Sequence, residues 1–195
     1  MAEAGGVAMT GNTRSFTANG LVKFGIKHDK NKFSLGAGVN WGRSFIKDAD
    51  VPDNSAWQRT ALRIFGDLRY DRFLTDRNSI YVSAGVFHDP FAGYDVSVAG
   101  NVGYSHILVS TDQHKLTGEA GFNYTYENYI DDADPVIDPN EQHFMGARLF
   151  LGYALKVNDN VGFDTSIESL LGGKANQDAP FDGRLNYHAG LSASL

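Results

Sequence analysis

Four charged residues in one short segment have the spacing of a functional cluster. Arg63, Asp67, Arg69 and Asp71 follow one another at steps of four and two residues. Side chains two residues apart lie on one face of a β-strand, so the sequence predicts a shared face. Clusters of charge in a membrane pore select ions and small polar solutes. The alternative is an ion-paired plug that fills a narrow barrel.

Other charged residues fall in the same polar phase of neighbouring segments. The complete predicted lumenal set is Arg63, Asp67, Arg69, Asp71, Asp95, Glu119, Arg148, Asp164 and Glu168, with His188 as a further candidate. Both signs of charge occur. Opposite charges can pair across a narrow interior and so avoid the free-energy cost of an isolated buried charge.

Two acidic segments lie between the predicted strands. One carries Asp48, Asp50 and Asp53, and the other carries Asp131, Asp132, Asp134, Asp138 and Glu141. Clustered carboxylates suit hard cations, but the glycine of a calcium loop is absent and Pro135 interrupts the second segment. We therefore expect solvated external loops and no metal site. Cation bridging to lipopolysaccharide phosphates is the alternative.

Histidines raise the question of catalysis. His106, His143 and His188 have no serine or carboxylate at an interpretable spacing. The GAG at 36–38 falls inside a predicted strand, so it does not form a phosphate loop. We expect no catalytic residue, no cofactor and no enzymatic activity; a barrel-embedded lipid-modifying enzyme is the alternative.

The elements that must position these residues are β-strands. In KLTGEAGFNYTYENY every second residue is apolar, aromatic or small, which is the period of a strand with two unlike faces. The same alternation marks segments 15–25, 33–41, 62–70, 80–86, 94–104, 145–153, 161–167 and 185–195, with a weaker segment near 4–10. The sequence thus predicts about ten strands, and its glycines disfavour helices.

The connections between the predicted strands alternate in length. Short polar turns (HDKN, TDRN, STDQH, NDN) alternate with longer loops such as IDDADPVIDPNEQ. Antiparallel strands in up-and-down order would place the short turns, apart from GNT, at one end. Outer-membrane barrels have short periplasmic turns and longer external loops.

The apolar face must meet either a protein core or lipid. The polar face is rich in small residues and poor in lysine, which suits a crowded lumen better than a water-facing sheet. Aromatic residues near the strand ends match an interfacial girdle. The predicted girdle is Phe24, Trp41, Tyr70, Tyr94, Tyr104, Tyr124, Tyr126, Tyr153 and Tyr187. The sequence favours lipid contact, and a soluble barrel whose apolar face points inward is the alternative. A soluble or membrane barrel that binds a small ligand in its interior is the alternative function.

Composition narrows the function further. The chain has 195 residues, no cysteine and a formal net charge of -6. We expect one domain, 1–195, without disulfides or a basic footprint for nucleic acid. No apolar run is long enough for a membrane helix. MAEAGG lacks the features of a signal peptide, as both a mature exported chain and a cytoplasmic protein would.

Several segments resemble a known family. TGNT at 10–13 follows the weak first strand, and GDLRYDRFLTDRNSIYVSAGVFHDPFAGYDVSVAGNVGYSHIL covers 66–108. These stretches resemble the salt-induced outer-membrane protein family of Gram-negative bacteria, whose molecular function is unknown. The resemblance implies an outer-membrane β-barrel with a link to salt or osmotic stress. It implies no active-site residues.

The C-terminal LSASL departs from the aromatic residue that commonly ends such barrels. The resemblance implies further strands beyond this point, so a truncated barrel of about twelve strands and a complete one of ten are the alternatives. We expect an all-β, up-and-down antiparallel transmembrane barrel in the bacterial outer membrane, of structural or small-solute pore type. Its expected partners are membrane lipid, lipopolysaccharide and the outer-membrane assembly machinery. The oligomeric state is left open.

Overall fold

Ten β-strands dominate the fold. The structure, a computed structural model, describes residues 2–9, 14–46, 56–130, 140–174 and 182–193. The strands are β1 Ala2–Met9, β2 Arg14–His28, β3 Asn31–Ile46, β4 Ala56–Phe73, β5 Asn78–Asp89, β6 Tyr94–Ser110, β7 His114–Tyr129, β8 Glu141–Lys156, β9 Val161–Lys174 and β10 Asp182–Ala193. One short 3-10 helix, Pro90–Ala92, lies between β5 and β6. In the described ranges, no helix has the length and apolar character needed to cross a membrane.

The strands form one antiparallel sheet in chain order, from β1 to β10. This confirms the predicted strand number and the up-and-down topology. Among the described residues, β1 pairs only with β2 and β10 only with β9, so backbone hydrogen bonds do not close the sheet. Closure into a complete barrel therefore remains a prediction.

The apolar face of the sheet is exposed. Large side chains in phase with one another along each strand keep about half of their surface open, among them Leu68 at 43%, Val102 at 56% and Leu149 at 48%. The opposite face is polar and contains nearly all of the buried side chains of the described residues. Burial is therefore inverted relative to a water-soluble sheet, whose apolar face would be covered.

Three side-chain contacts show that the polar face is concave. Each contact joins strands three positions apart: Arg69 of β4 reaches Glu119 of β7, Arg148 of β8 reaches Tyr81 of β5, and Arg184 of β10 reaches Glu127 of β7. In a flat sheet such strands lie about 14 Å apart. The sheet must therefore curl around its polar face, which is called the inner face from here on.

The two ends of the sheet differ in their connections. Four short turns, 29–30, 74–77, 111–113 and 157–160, lie at one end, as the sequence predicts. The opposite end, called the long-loop end, receives the connections 47–55, 90–93, 130–140 and 175–181. Both acidic segments and the GNT turn fall wholly or largely outside the described residues.

Candidate functional site

A chain of ion pairs crosses the inner face at mid-height. Arg69 donates to Asp71 on its own strand at 2.7 Å and to Glu119 of β7 at 2.7 Å. Arg148 of β8 donates to the other oxygen of Glu119 at 2.7 Å and to Glu168 of β9. Strand alternation puts all five side chains on the inner face, and the curvature brings them within reach of one another. These five residues are called the inner ion network.

Glu119 is the centre of the inner ion network. Its side chain is only 4% exposed, and each of its carboxylate oxygens accepts a hydrogen bond from a guanidinium group. An unpaired carboxylate at this depth would be strongly unfavourable, whereas charge-assisted hydrogen bonds to two arginines offset the loss of hydration. No described buried side chain lacks a hydrogen-bond partner. The network is thus internally satisfied.

Tyr81 of β5 packs against the arginines of the inner ion network. The residue is 2% exposed, and the centre of its ring lies 4.2 Å from the guanidinium carbon of Arg69. Its hydroxyl accepts a hydrogen bond from Nη1 of Arg148 at 2.7 Å. One aromatic side chain therefore contacts both arginines, through cation–π attraction to one and a hydrogen bond to the other.

Two glycines make room for the Tyr81 hydroxyl. Gly103 and Gly121 are directly opposed on β6 and β7. A Cβ added to Gly103 would lie 2.5 Å from the carbonyl oxygen of Ala120 and 2.8 Å from the tyrosine oxygen. One added to Gly121 would lie closest to the carbonyl oxygen of Val102 and 2.9 Å from the tyrosine oxygen. These distances are shorter than ordinary van der Waals contact. The glycine pair is therefore required both by the facing backbones of β6 and β7 and by the Tyr81 hydroxyl.

A second ion pair lies nearer the long-loop end. Arg184 of β10 donates to both carboxylate oxygens of Glu127, a residue that is only 1% exposed. The hydroxyl of Tyr129 also donates to Glu127. The guanidinium carbon of Arg184 lies 4.5 Å from the ring centre of Phe144. This pair ties β10 to β7 and so holds the curvature at a second height.

The remaining predicted lumenal residues lie apart from the inner ion network. Arg63 faces inward against the rings of Phe65 and Phe87, and Asp67 lies beside Gly36. Asp164 lies 2.9 Å from Nε2 of His188, with both side chains more than half exposed. The inner face therefore carries one interlocked centre and several separate charges.

Asp95 lies away from the predicted lumenal set. A bulge between Tyr94 and Val96 sets Tyr94 opposite Tyr129 and Val96 opposite Asn128. The extra residue, Asp95, is left on the outer side, where its carboxylate lies 3.8 Å from His88. A bulge adds one residue to a strand and shifts the alternation of faces, which a strict two-residue count cannot anticipate.

The same bulge moves Tyr94 from the predicted girdle to the inner face, where its ring packs 4.9 Å from that of Tyr129. The other predicted girdle residues lie on the outer face by register: Phe24, Trp41, Tyr70, Tyr104, Tyr124, Tyr126, Tyr153 and Tyr187. Several of their hydroxyls are tied to polar neighbours, as Tyr70 is to Asn31, Tyr104 to Asn78 and Tyr153 to His114. Such an apolar body with a fixed polar tip suits an interface between lipid and water.

Sequence reasoning missed Tyr81, Glu127 and Arg184. Tyr81 and Glu127 stand in the polar phase of their strands, so their inward direction was readable from the alternation. A bulky tyrosine among small polar residues was the available signal for Tyr81. The pairing of Arg184 with Glu127 had no sequence signal, because the two residues lie 57 positions apart.

A cavity of about 430 Å³ adjoins the inner ion network on the side of the short turns. Its charged lining is Lys32, Arg69, Asp71, Lys115, Glu119 and Asp164, with Ser79 and Thr117 among its hydroxyl donors. Within the described ranges, no three His, Asp or Glu side chains are grouped as a metal site would require. The cavity offers charge of both signs and hydroxyl groups to a small polar solute.

Comparison with known proteins gives a family. No curated protein matches the chain significantly. A family model described as "Protein of unknown function, DUF481" matches residues 2–195. Since the match spans nearly the whole chain, the chain belongs to this family of unknown function.

Proposed function

We propose that the protein is a β-barrel of the bacterial outer membrane, with its apolar face against lipid and a narrow polar lumen. The observation that carries the proposal is the inverted burial. Leu68, Val102 and Leu149 remain about half exposed while Glu119 and Arg148 are buried. Exposed apolar area of this extent is unfavourable in water, and lipid contact removes that cost. The resemblance to salt-induced outer-membrane proteins supports the same placement.

In this proposal the inner ion network is a constriction that admits only small solutes. It links β4, β7, β8 and β9 across the lumen, and its charges are paired with one another. The described inner residues of β2 and β3 include Lys27 and Lys32, which do not belong to the network. A solute would pass between the inner face of β2 and β3 and the inner ion network, and it would be sorted by size and charge. A scaffold with a closed lumen is the rival within the same class.

Two experiments test the placement and the pore in turn. The chain is exported with a signal peptide, and the membranes are fractionated and analysed on gels with and without boiling. Outer-membrane recovery with a faster-migrating unboiled band supports the barrel; a detergent-free soluble monomer rich in β-structure refutes it. Planar-bilayer recordings follow. Steady single-channel steps support solute passage, whereas silence from a correctly folded sample supports the closed scaffold.

A second candidate function is solute binding inside the lumen. The cavity beside Arg69, Asp71 and Glu119 carries this alternative, because it is bounded by charge of both signs. Isothermal titration of the folded, non-conducting protein with zwitterionic solutes tests it. Heat of binding that disappears in an Arg69→Gln variant of intact fold supports a binding protein, and the absence of heat in the native protein excludes these ligands.

The proposal assigns no catalytic step and links the barrel to salt stress only as a physiological role. Comparing growth of a deletion strain with its parent at low and high salt tests that role. Lipid or ester turnover abolished by substitution of His106, His143 or His188 would require an enzymatic function instead.

A further inference from the structure

Three arginines stand on the outer, apolar face at the long-loop end. Arg14, Arg43 and Arg59 are all exposed. Their guanidinium groups lie over aromatic rings: Arg14 over Phe45 at 5.7 Å, Arg43 over Trp57 at 4.7 Å, and Arg59 over Phe91 at 6.0 Å. Register places the patch on β2, β3 and β4, and its members are Arg14, Phe16, Trp41, Arg43, Phe45, Trp57 and Arg59. This set is called the arginine–aromatic patch.

A bulge creates the patch. The pairing of β3 with β4 shifts between Gly42 and Arg43, so that Thr60 has no partner. Without the shift, Arg59 would share the inner face with Arg63. With it, Arg59 lies directly opposite Arg43 on the outer face. A bulge that re-aims a side chain is a common device near functional sites.

Among the described residues, the arrangement leaves positive charge without a counter-charge. Directly opposed like charges destabilise a sheet, yet Arg43 and Arg59 are such a pair. Within the described ranges, none of the three arginines forms an ion pair with a carboxylate. The cation–π contacts hold the guanidinium planes in place but do not neutralise them. An anion beside the patch would remove the repulsion.

The position of the patch identifies the anion. It lies on the face that the proposed function turns toward lipid, at the end where the longer loops attach. Aromatic rings there reach the acyl region, and arginine heads lie at headgroup level. Guanidinium groups bind phosphate through paired hydrogen bonds. We propose that the arginine–aromatic patch binds the phosphate groups of an anionic lipid in the outer leaflet.

This inference rests on the proposed membrane placement, and one measurement separates the two. The chain contains two tryptophans, Trp41 and Trp57, and both belong to the patch. Their fluorescence therefore reports directly on the lipid at this site. The protein is reconstituted in vesicles of brominated phosphatidylcholine with increasing unbrominated phosphatidic acid. Bromine quenches tryptophan, so preferential binding of phosphatidic acid restores fluorescence beyond its share of the lipid.

For the native chain we expect phosphatidic acid to be preferred over phosphatidylcholine. Each arginine near an anionic lipid contributes about 1 kcal/mol, which corresponds to roughly fivefold in affinity. Arg43→Gln should lower the preference about fivefold, and Arg43→Gln with Arg59→Gln should lower it about 25-fold, which leaves the contribution of Arg14. Arg72→Gln is the matched control, because Arg72 also lies on the outer face of β4 but at its opposite end. The Arg72→Gln variant should prefer phosphatidic acid as strongly as the native chain does.

Different results would overturn the membrane placement and the lipid binding by the arginine–aromatic patch. Absence of quenching by brominated phosphatidylcholine alone would overturn the membrane placement. Normal quenching without phosphatidic acid preference, or with a preference that the double variant retains undiminished, would overturn the patch while leaving the placement intact. If the preference appears only after Asp48, Asp50 and Asp53 are replaced by Asn, the occupant is an acidic segment of this chain and the lipid inference is wrong. If inorganic phosphate at the same concentration displaced phosphatidic acid from the patch, that result would also contradict a lipid site.

Discussion

The hydroxyl of Tyr81 accepts a hydrogen bond from Nη1 of Arg148 at 2.7 Å across 67 residues of sequence and three strand positions. The contact exists because the sheet curls and because two opposed glycines leave space for the hydroxyl. It also places the ring against Arg69, so that β4, β5 and β8 meet at one point. The curvature of the sheet and the inner ion network therefore depend on each other.

Replacing Glu119 with Gln should destabilise the fold. The change removes the charge that both Arg69 and Arg148 contact, and breaking a buried pair costs about 3 kcal/mol or more. Urea unfolding of the reconstituted protein measures the free energy of unfolding. Asp67→Asn is the control, because Asp67 is exposed on the same face and has no ion pair among the described residues. Equal stability of the two variants would contradict a structural role for the network.

Adding one methyl group at Gly103 should disturb the network without changing any charge. The new Cβ would lie 2.5 Å from the carbonyl oxygen of Ala120 and 2.8 Å from the Tyr81 hydroxyl, and overpacking of this kind costs about 1–3 kcal/mol. The temperature at which the unboiled gel band is lost reports the effect. Gly100→Ala, on the same strand, has no atom within 4 Å of its added Cβ and should behave like the native chain. If both variants melt together, the close packing of Gly103 against β7 and Tyr81 carries no stability.

A lysine on the outer face distinguishes lipid from water. Val102 lies midway along β6 and is 56% exposed, and Val157 lies in a short turn and is 52% exposed. In a bilayer, Val102→Lys should cost about 2–4 kcal/mol because the charge sits near the midplane. Val157→Lys should change stability by less than about 0.5 kcal/mol, as surface substitutions usually do. Similar small effects at both sites would indicate that the outer face of β6 meets water.

Removing the charge of Arg63 should change ion selectivity more than stability. Arg63 is exposed on the inner face and contacts aromatic rings, with no carboxylate partner in the described part of the chain. If the lumen conducts, Arg63→Ala should shift the reversal potential toward cation preference under a salt gradient. Arg69→Ala should instead lower stability, because Arg69 is paired with two carboxylates. An unchanged reversal potential in Arg63→Ala would remove this residue from the conduction path.

The sequence alone determined the strands and their two faces. Period-two alternation in segments such as 116–126 follows from strand geometry, so it predicts which side chains share a face wherever pairing is regular. It also predicted that Arg69, Asp71, Glu119, Arg148 and Glu168 all lie on the polar face, since each stands in the polar phase of its strand. The alternating turn lengths similarly predicted the up-and-down order, which the sheet confirms.

Only the tertiary structure decided which of these residues meet. Arg69 and Glu119 are 50 residues apart, and their contact depends on how tightly the sheet curls, which no local pattern encodes. The structure also decided the exceptions at the bulges, where one extra residue turns Tyr94 inward, Asp95 outward and Arg59 onto the apolar face. A bulge is set by pairing between strands, so it changes the facing of a residue without altering the sequence pattern around it.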